Sequence, residues 1–285
     1  DPPPTAFMEM MRRPVTPAAH SRWHPARLAA RLCAAFVNRA ARRRDYLRRA
    51  RQILVGTRTA LQHVPEAWHG KCRRVTYAGV EHEVFVPPLA GQSNRAVTLL
   101  FVGRLIPYKG VEMLLRAVAL AAGTANVQLL LVGSADRAFA SFCTQFASDM
   151  GISDRVEFQP PVPRNKLPAL YQQADIFCFP TLCDTYGIAL LEAMSCGCAV
   201  VASDVAGAGE IVDGANGLKI SLTTPDQYVR EFAEAIGCLA ANPARRAAFG
   251  AAARRHVLQN HDWPRIGEQV LRIYEELEQE LGLQT

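Results

Sequence analysis

No apolar run in this chain of 285 residues reaches the roughly 18 needed to cross a bilayer as a helix. The opening "DPPPTAFMEM" has neither the basic start nor the apolar core of a secretory leader, and with no initiating Met it reads as a fragment or a processed form. The eight cysteines make no CxxC pair, and the Cys178/Cys183 and Cys196/Cys198 spacings fit no common zinc pattern. Free, mostly buried thiols are expected instead, which suits a reducing compartment and a cytoplasmic protein. There is no Walker loop. A glycine fingerprint with an acid about 20 residues on is also missing, which disfavours an NAD-dependent enzyme. No internal repeat or low-complexity segment stands out.

Lysine is absent from residues 1–60, which hold 13 Arg and 3 acids, whereas residues 61–285 hold 19 basic and 23 acidic groups. The net charge of +6 is therefore a property of the N-terminal fifth. Within it, "HPARLAARLCAAFVNRAARRRDYLRRA" sets Leu28, Leu32, Ala35 and Phe36 at helical spacing with Arg opposite, an amphipathic helix over 25–51. The plain reading is a solvated Arg-rich helix. The functional one is contact with an anionic membrane surface or an anionic lipid-linked substrate. Aromatics are not interleaved with the basic residues and no nucleic-acid module is evident, so nucleic acid is not an expected partner.

What is present is a hydrophobic content of 49%, enough for a sizeable core. "QILVGT" and "RRVTYAG" read as short strands, and "PPLAGQSNRA" over 87–96 as a linker. From residue 97 apolar strands alternate with helices: "VTLLFVG", "VQLLLVG", "RVEF", "IFCFP" and "AVVAS" are the strands. They are apolar throughout rather than alternating, so both faces must be covered, as in a parallel doubly wound α/β sheet. Three helices follow, near 226–241, 244–258 and 264–281. In such a sheet the ligand sits outside the C-terminal strand ends, at a switch point.

Two constellations lie on loops that follow strands. In "FVGRLIPYKG" a strand ends at Gly103, and Arg104 and Lys109 precede a helix opened by Gly110. A planar fork of donors, a mobile point charge and free helix N–H groups together suit a diphosphate. In "TLCDTYGIALLE" the amides of Thr185, Tyr186, Gly187, Ile188 and Ala189 form a second phosphate cradle. Asp184 stands just ahead of the helix, either as its cap or facing sugar hydroxyls. Glu192 lies inside an apolar helix, where an acid needs partners; its two oxygens suit the adjacent hydroxyls of a ribose.

These residues carry a resemblance. "FVGRLIPYKG" followed by "FPTLCDTYGIALLEAMSCGCAVVASDVAGAGEIVDGANGLKI" resembles the donor-binding domain of retaining GT-B glycosyltransferases, glycosyltransferase family 4. The shared elements are a strand with G-R-x(4)-K-G, an E-x(7)-E element, a helix reading LEAMA-x-G and an E-I-V-x-D-G-x-N-G-x-L turn. "YAGVEHEVF" is similar to the family segment leading into that domain, and "HDWPRIGEQVLRIYEEL" to its closing crossover helix. The likeness spans about residues 50–280.

The resemblance implies a GT-B type α/β fold: one complete Rossmann-like domain beside a truncated N-terminal acceptor domain. The expected division is 1–90 for the acceptor-side remnant, 91–262 for the donor domain and 263–285 for the crossover helix. It implies that Arg104 and Lys109 hold the donor diphosphate with Gly103 beside them, that Asp184 stands where the family has its first acid, and that Glu192 binds ribose. Gly187 matches a family glycine and Thr185 replaces another. Pro160 and Pro161, near where the base docks, donate no N–H. Glu210 matches a family acid, read as a loop anchor or a sugar contact. The seven histidines show no motif context.

The implied activity is sugar transfer from a nucleoside diphosphate sugar to an acceptor hydroxyl, saccharide or lipid-linked, with retained configuration. Arg104, Lys109 and Asp184 are its catalytic candidates. No metal and no cofactor beyond the donor is expected, and the place is the cytoplasm, peripheral at the inner membrane surface. The alternative is a binding fragment that captures the donor and transfers nothing. A phosphorylase sharing the GT-B plan should carry a cofactor-bearing Lys, for which no context is seen.

Overall fold

The computed structural model describes residues 46–88 and 96–282. The Arg-rich helix expected at 25–51 lies outside them up to residue 45, and so do residues 89–95 of the expected linker. Residues 46–49 are helical. The first strands are short: β1 (Ile53–Val55) and β2 (Cys72–Arg74) pair in parallel. Between them lies α1 (Arg58–Gln62), capped by Thr57, whose side chain accepts from the Ala60 N–H at 3.0 Å. "RRVTYAG" is thus a strand only at its start. Val75 N–H still donates to Val55 O at 3.0 Å, residues 75–79 belong to no strand, and Val80 makes a parallel bridge to Asp262.

The main sheet is fully parallel. Its strands are β3 (Val97–Val102), β4 (Val127–Val132), β5 (Val156–Gln159), β6 (Ile176–Phe179), β7 (Ala199–Ser203) and β8 (Leu218–Ile220). Their order is β5-β4-β3-β6-β7-β8. The chain winds outward from β3 through β4 to β5, then returns to place β6 on the other side of β3. The switch point is therefore between β3 and β6, whose following helices leave to opposite faces of the sheet.

Helices cover both faces, which is why the central strands carry no polar alternation. One face packs Leu99, Phe101, Leu129 and Leu131 under α2 (Val111–Ala122), α3 (Arg137–Asp149) and α7 (Pro225–Ala241). The other packs Leu100, Val132, Phe177 and Val200 under α4 (Leu167–Gln173), α5 (Ile188–Ser195) and α8 (Pro243–Asn260). Fully burying one such side chain stabilises the fold by about 1.5–3 kcal/mol. Thr224 and Asn242 cap α7 and α8, each followed by Pro at the first helical position. The short α6 (Ala206–Ile211) and edge strand β8 are not legible in the glycine-rich run that encodes them.

The closing helix α9 (Trp263–Leu281) runs back to the N-terminal segment. The Arg73 guanidinium pairs with Glu276 on α9, and Val80 N–H donates to His261 O at 3.0 Å. No helix among the described residues is long and apolar enough to cross a membrane.

Candidate functional site at the sheet switch point

The loop after β3 and the loop after β6 are stitched together by backbone. Leu182 N–H donates to Tyr108 O at 2.9 Å, and the Thr181 hydroxyl reaches the same carbonyl at 3.5 Å. Gly110, at φ 73°, makes the approach possible: a Cβ there would lie 1.9 Å from Pro180 O. Only a residue without a side chain fits both the left-handed backbone and the contact. The sequence separation between the two cations and the first acid thus collapses to one rim.

On that rim Lys109 and Asp184 form an ion pair, Nζ to Oδ2, with each side chain 17% exposed. Asp184 is therefore not the cap of α5. Its Oδ1 reaches the Tyr186 N–H only at 3.4 Å, and the N-cap position belongs to Gly187, at φ 89°, with no side-chain cap. Arg104 points along the same rim, its Nη2 donating to Tyr108 Oη at 2.6 Å. Lys109 Nζ lies 5.9 Å from the Tyr108 ring centroid and 6.0 Å from that of Phe179. The α5 opening leaves the first helical N–H groups, at Ile188 and Ala189, without intrahelical acceptors. Leu190 and Leu191 N–H both bond Gly187 O.

Glu192 forms a second cluster. It is 3% exposed, and both carboxylate oxygens have protein partners. Arg164 Nη1 donates to Oε1 at 2.8 Å, and Tyr171 Oη to Oε2 at 2.9 Å. Burial pushes the Glu192 carboxyl above its ordinary range, while Tyr171 and Arg164 pull it back. Arg164 also meets Glu81 at 3.3 Å and lies over the Phe85 ring. Sequence reasoning expected Glu192 oxygens open to a diol and named neither Arg164 nor Tyr171. The available signal was positional: Arg164 follows β5 and so opens on the same sheet edge as the other loops.

Tyr77 was also missed. Its ring packs on Tyr186 with centroids 4.8 Å apart, and burial, then the Asp184 charge, raises its phenol. Tyr186 in turn stands edge-on to His261, whose Nδ1 lies 3.2 Å from Ala78 O. Glu210 on α6 accepts from Arg58 N–H at 2.6 Å and from Arg74 at 2.7 Å. That is an anchor onto the N-terminal segment. A cleft of about 500 Å³ lies between β2 and α9, away from the switch point. Arg73, Arg74, Arg265 and Arg272 line it, and Arg73, Arg74 and Arg272 are paired with Glu276, Glu210 and Glu268. No group of three or more His, Cys, Asp or Glu is placed to hold a metal ion among the described residues.

A doubly wound parallel sheet with its cations and acids gathered at the β3/β6 switch point, closed by a helix returning to an N-terminal segment, defines a GT-B type α/β protein. The family described as "Glycosyl transferases group 1" matches residues 96–242, and the chain belongs to it. It is 32% identical over 191 residues to a D-inositol 3-phosphate glycosyltransferase of Rhodococcus opacus, covering 65% of this chain and 42% of that one. It is 32% identical over 238 residues to a GDP-mannose-dependent alpha-(1-6)-phosphatidylinositol monomannoside mannosyltransferase of Mycolicibacterium smegmatis, covering 76% and 57%. The fold superposes on a sucrose-phosphate synthase of Thermosynechococcus elongatus with TM-score 0.69 and 26% identity, covering 81% of this chain and 59% of that one. The chain thus spans about half the length of the curated relatives it matches.

Proposed function

We propose that this chain carries the donor side of a glycosyltransferase that moves a sugar from a nucleoside diphosphate sugar to an acceptor hydroxyl, with retained anomeric configuration. The observation that carries the reading is the Lys109–Asp184 pair on two backbone-bonded loops at the switch point, with Arg104 and the α5 N-terminus beside it. As the bond between the anomeric carbon and phosphate breaks, negative charge grows on the diphosphate. Lys109, Arg104 and the amides from Tyr186 to Ala189 are fixed where that charge develops. The incoming diphosphate competes with Asp184 for Lys109. Once released, Asp184 turns to the hydroxyls of the transferred sugar, and Glu192 takes the ribose. No cofactor beyond the donor is part of this reading.

One relative is GDP-mannose-dependent by name, which supports a sugar nucleotide as donor. Both curated relatives are named for inositol-containing acceptors, which supports an anionic or lipid-linked acceptor facing the Arg-rich segment 25–51. In the same reading residues 1–90 are acceptor-side, 91–262 bind donor and 263–285 cross back, and the protein is cytoplasmic and peripheral at the membrane.

Calorimetry with UDP and GDP tests the donor site. Lys109→Ala and Arg104→Ala should each weaken the bound diphosphate by roughly 10- to 100-fold, the worth of a hydrogen bond to a charged group. Unchanged affinity in both variants would refute the assignment. Transfer is assayed separately with UDP- and GDP-sugars, because binding alone does not establish turnover.

A further inference from the structure

We infer that Arg164 is the positioning residue that sets how Glu192 meets the ribose of the donor. This rests on the reading of Glu192 as the ribose-binding acid. The Arg164 side chain is 54% exposed and that of Glu192 only 5%, so the guanidinium reaches the carboxylate from the solvent side. Its fork is divided: Nη1 holds Glu192 Oε1 at 2.8 Å, and Nη2 reaches Glu81 at 3.3 Å. The guanidinium carbon sits 5.3 Å from the centroid of the fully buried Phe85 ring. Tyr171 Oη takes Oε2 from the opposite, buried side. A carboxylate offers about four lone-pair positions, so two remain for a diol once Arg164 and Tyr171 have fixed its orientation.

The loop that carries Arg164 is built to present it. Residues 160–163 read Pro-Pro-Val-Pro, and three fixed φ angles stiffen the approach to Arg164. The same prolines remove backbone donors from this part of the rim, so polar recognition here falls to side chains. The groups facing Glu192 are Arg164, Glu81, Tyr171 and the thiol of Cys196, the C-cap of its own helix. Arg164 is the cation among them. It keeps a buried carboxylate an acceptor only, the form that takes two hydroxyl protons rather than presenting one of its own.

The test uses the 285-residue chain with UDP, GDP and their 2′-deoxy counterparts, measured by calorimetry between pH 6 and 8. The parent should lose about tenfold in affinity when the 2′-hydroxyl is removed. In Arg164→Gln that ratio should collapse to under about threefold, and diphosphate affinity should fall more steeply toward low pH than in the parent, because Glu192 then takes up a proton. Arg164→Lys, which restores the charge without the fork, should recover part of the ratio and the flat pH profile. Thermal melts of each variant separate these effects from loss of fold. If Arg164→Gln keeps the full ratio while Glu192→Gln abolishes it, or if Arg164→Gln binds diphosphate more tightly, the inference about Arg164 is overturned. If Glu192→Gln leaves the ratio intact, or the parent binds both forms equally, the ribose reading of Glu192 fails instead.

Discussion

Asp184 and Glu192 are eight residues apart and each is matched to a cation, yet they live under different physics. Asp184 sits on a loop at a rim, paired with Lys109 across two strand ends. Glu192 sits inside an apolar helix, held by one buried hydroxyl and one half-exposed guanidinium. The loop acid is cheap to hold at a partly solvated rim and, on the proposed function, free to exchange partners when a diphosphate arrives. The helix acid is costly to desolvate and is fixed by its surroundings. The comparison teaches that two acids eight residues apart can divide their work: on the proposed function, the loop acid responds to the ligand and the helix acid is preorganised for it.

The largest expected effect breaks the loop cluster. Gly110→Ala places a Cβ 1.9 Å from Pro180 O on a backbone at φ 73°. The β3 and β6 loops must part, because neither atom belongs to a flexible side chain. We expect a loss of about 3 kcal/mol or more in denaturant unfolding, with UDP and GDP binding abolished. A variant of parental stability would show that the two loops are not clamped together.

The wall beneath the loop acid supplies the next effect. His261 is 4% exposed and stands edge-on to Tyr186, two residues from Asp184. Burial holds its imidazole down to about 4, with His256 adding to the depression and the Ala78 carbonyl opposing it. Since Ala78 O only accepts, Nδ1 carries the proton of the neutral ring. The folded value lies below the unfolded one, so its stabilising contribution is complete above about pH 6.5 and is lost as pH falls toward 4. The loss is on the order of 3 kcal/mol over that window. His261→Asn should flatten this acid limb in urea titrations; an unchanged limb would remove His261 from the account.

Much of this arrangement was legible in the residues. Continuous apolar strands announced a sheet covered on both faces, and the glycines at 103, 110 and 187 marked the loops that carry Arg104, Lys109 and Asp184. The pairing of Lys109 with Asp184 was not legible, because it depends on β6 returning to the side of β3, a crossover that leaves no local trace. Arg164 and Tyr171 escaped for a related reason. They belong to different elements that share one sheet face, and neither stands in a motif with Glu192. The short β8 was hidden by its length and by the glycines around it, where propensity says little.

The smallest effects sharpen the contrast between the acids directly. Burial raises the Glu192 carboxyl, so the folded state keeps its proton to higher pH than the unfolded chain, and its ionisation costs stability as pH rises through the folded value. Glu192→Gln removes that cost and keeps an acceptor for Tyr171, so stability at neutral pH should stay within about 1 kcal/mol of the parent or exceed it. Glu192→Leu removes the acceptor and strands a buried hydroxyl, which should cost about 1–3 kcal/mol. Asp184→Asn should change stability by less than about 1 kcal/mol, since Lys109 turns to water or to Tyr108 at a partly solvated rim. Diphosphate affinity should then move the other way from stability: Asp184→Asn frees Lys109 and tightens free UDP or GDP, whereas both Glu192 variants weaken it. If Asp184→Asn destabilises the chain as much as Glu192→Leu, the loop acid is as structural as the helix acid and the division of work between them fails.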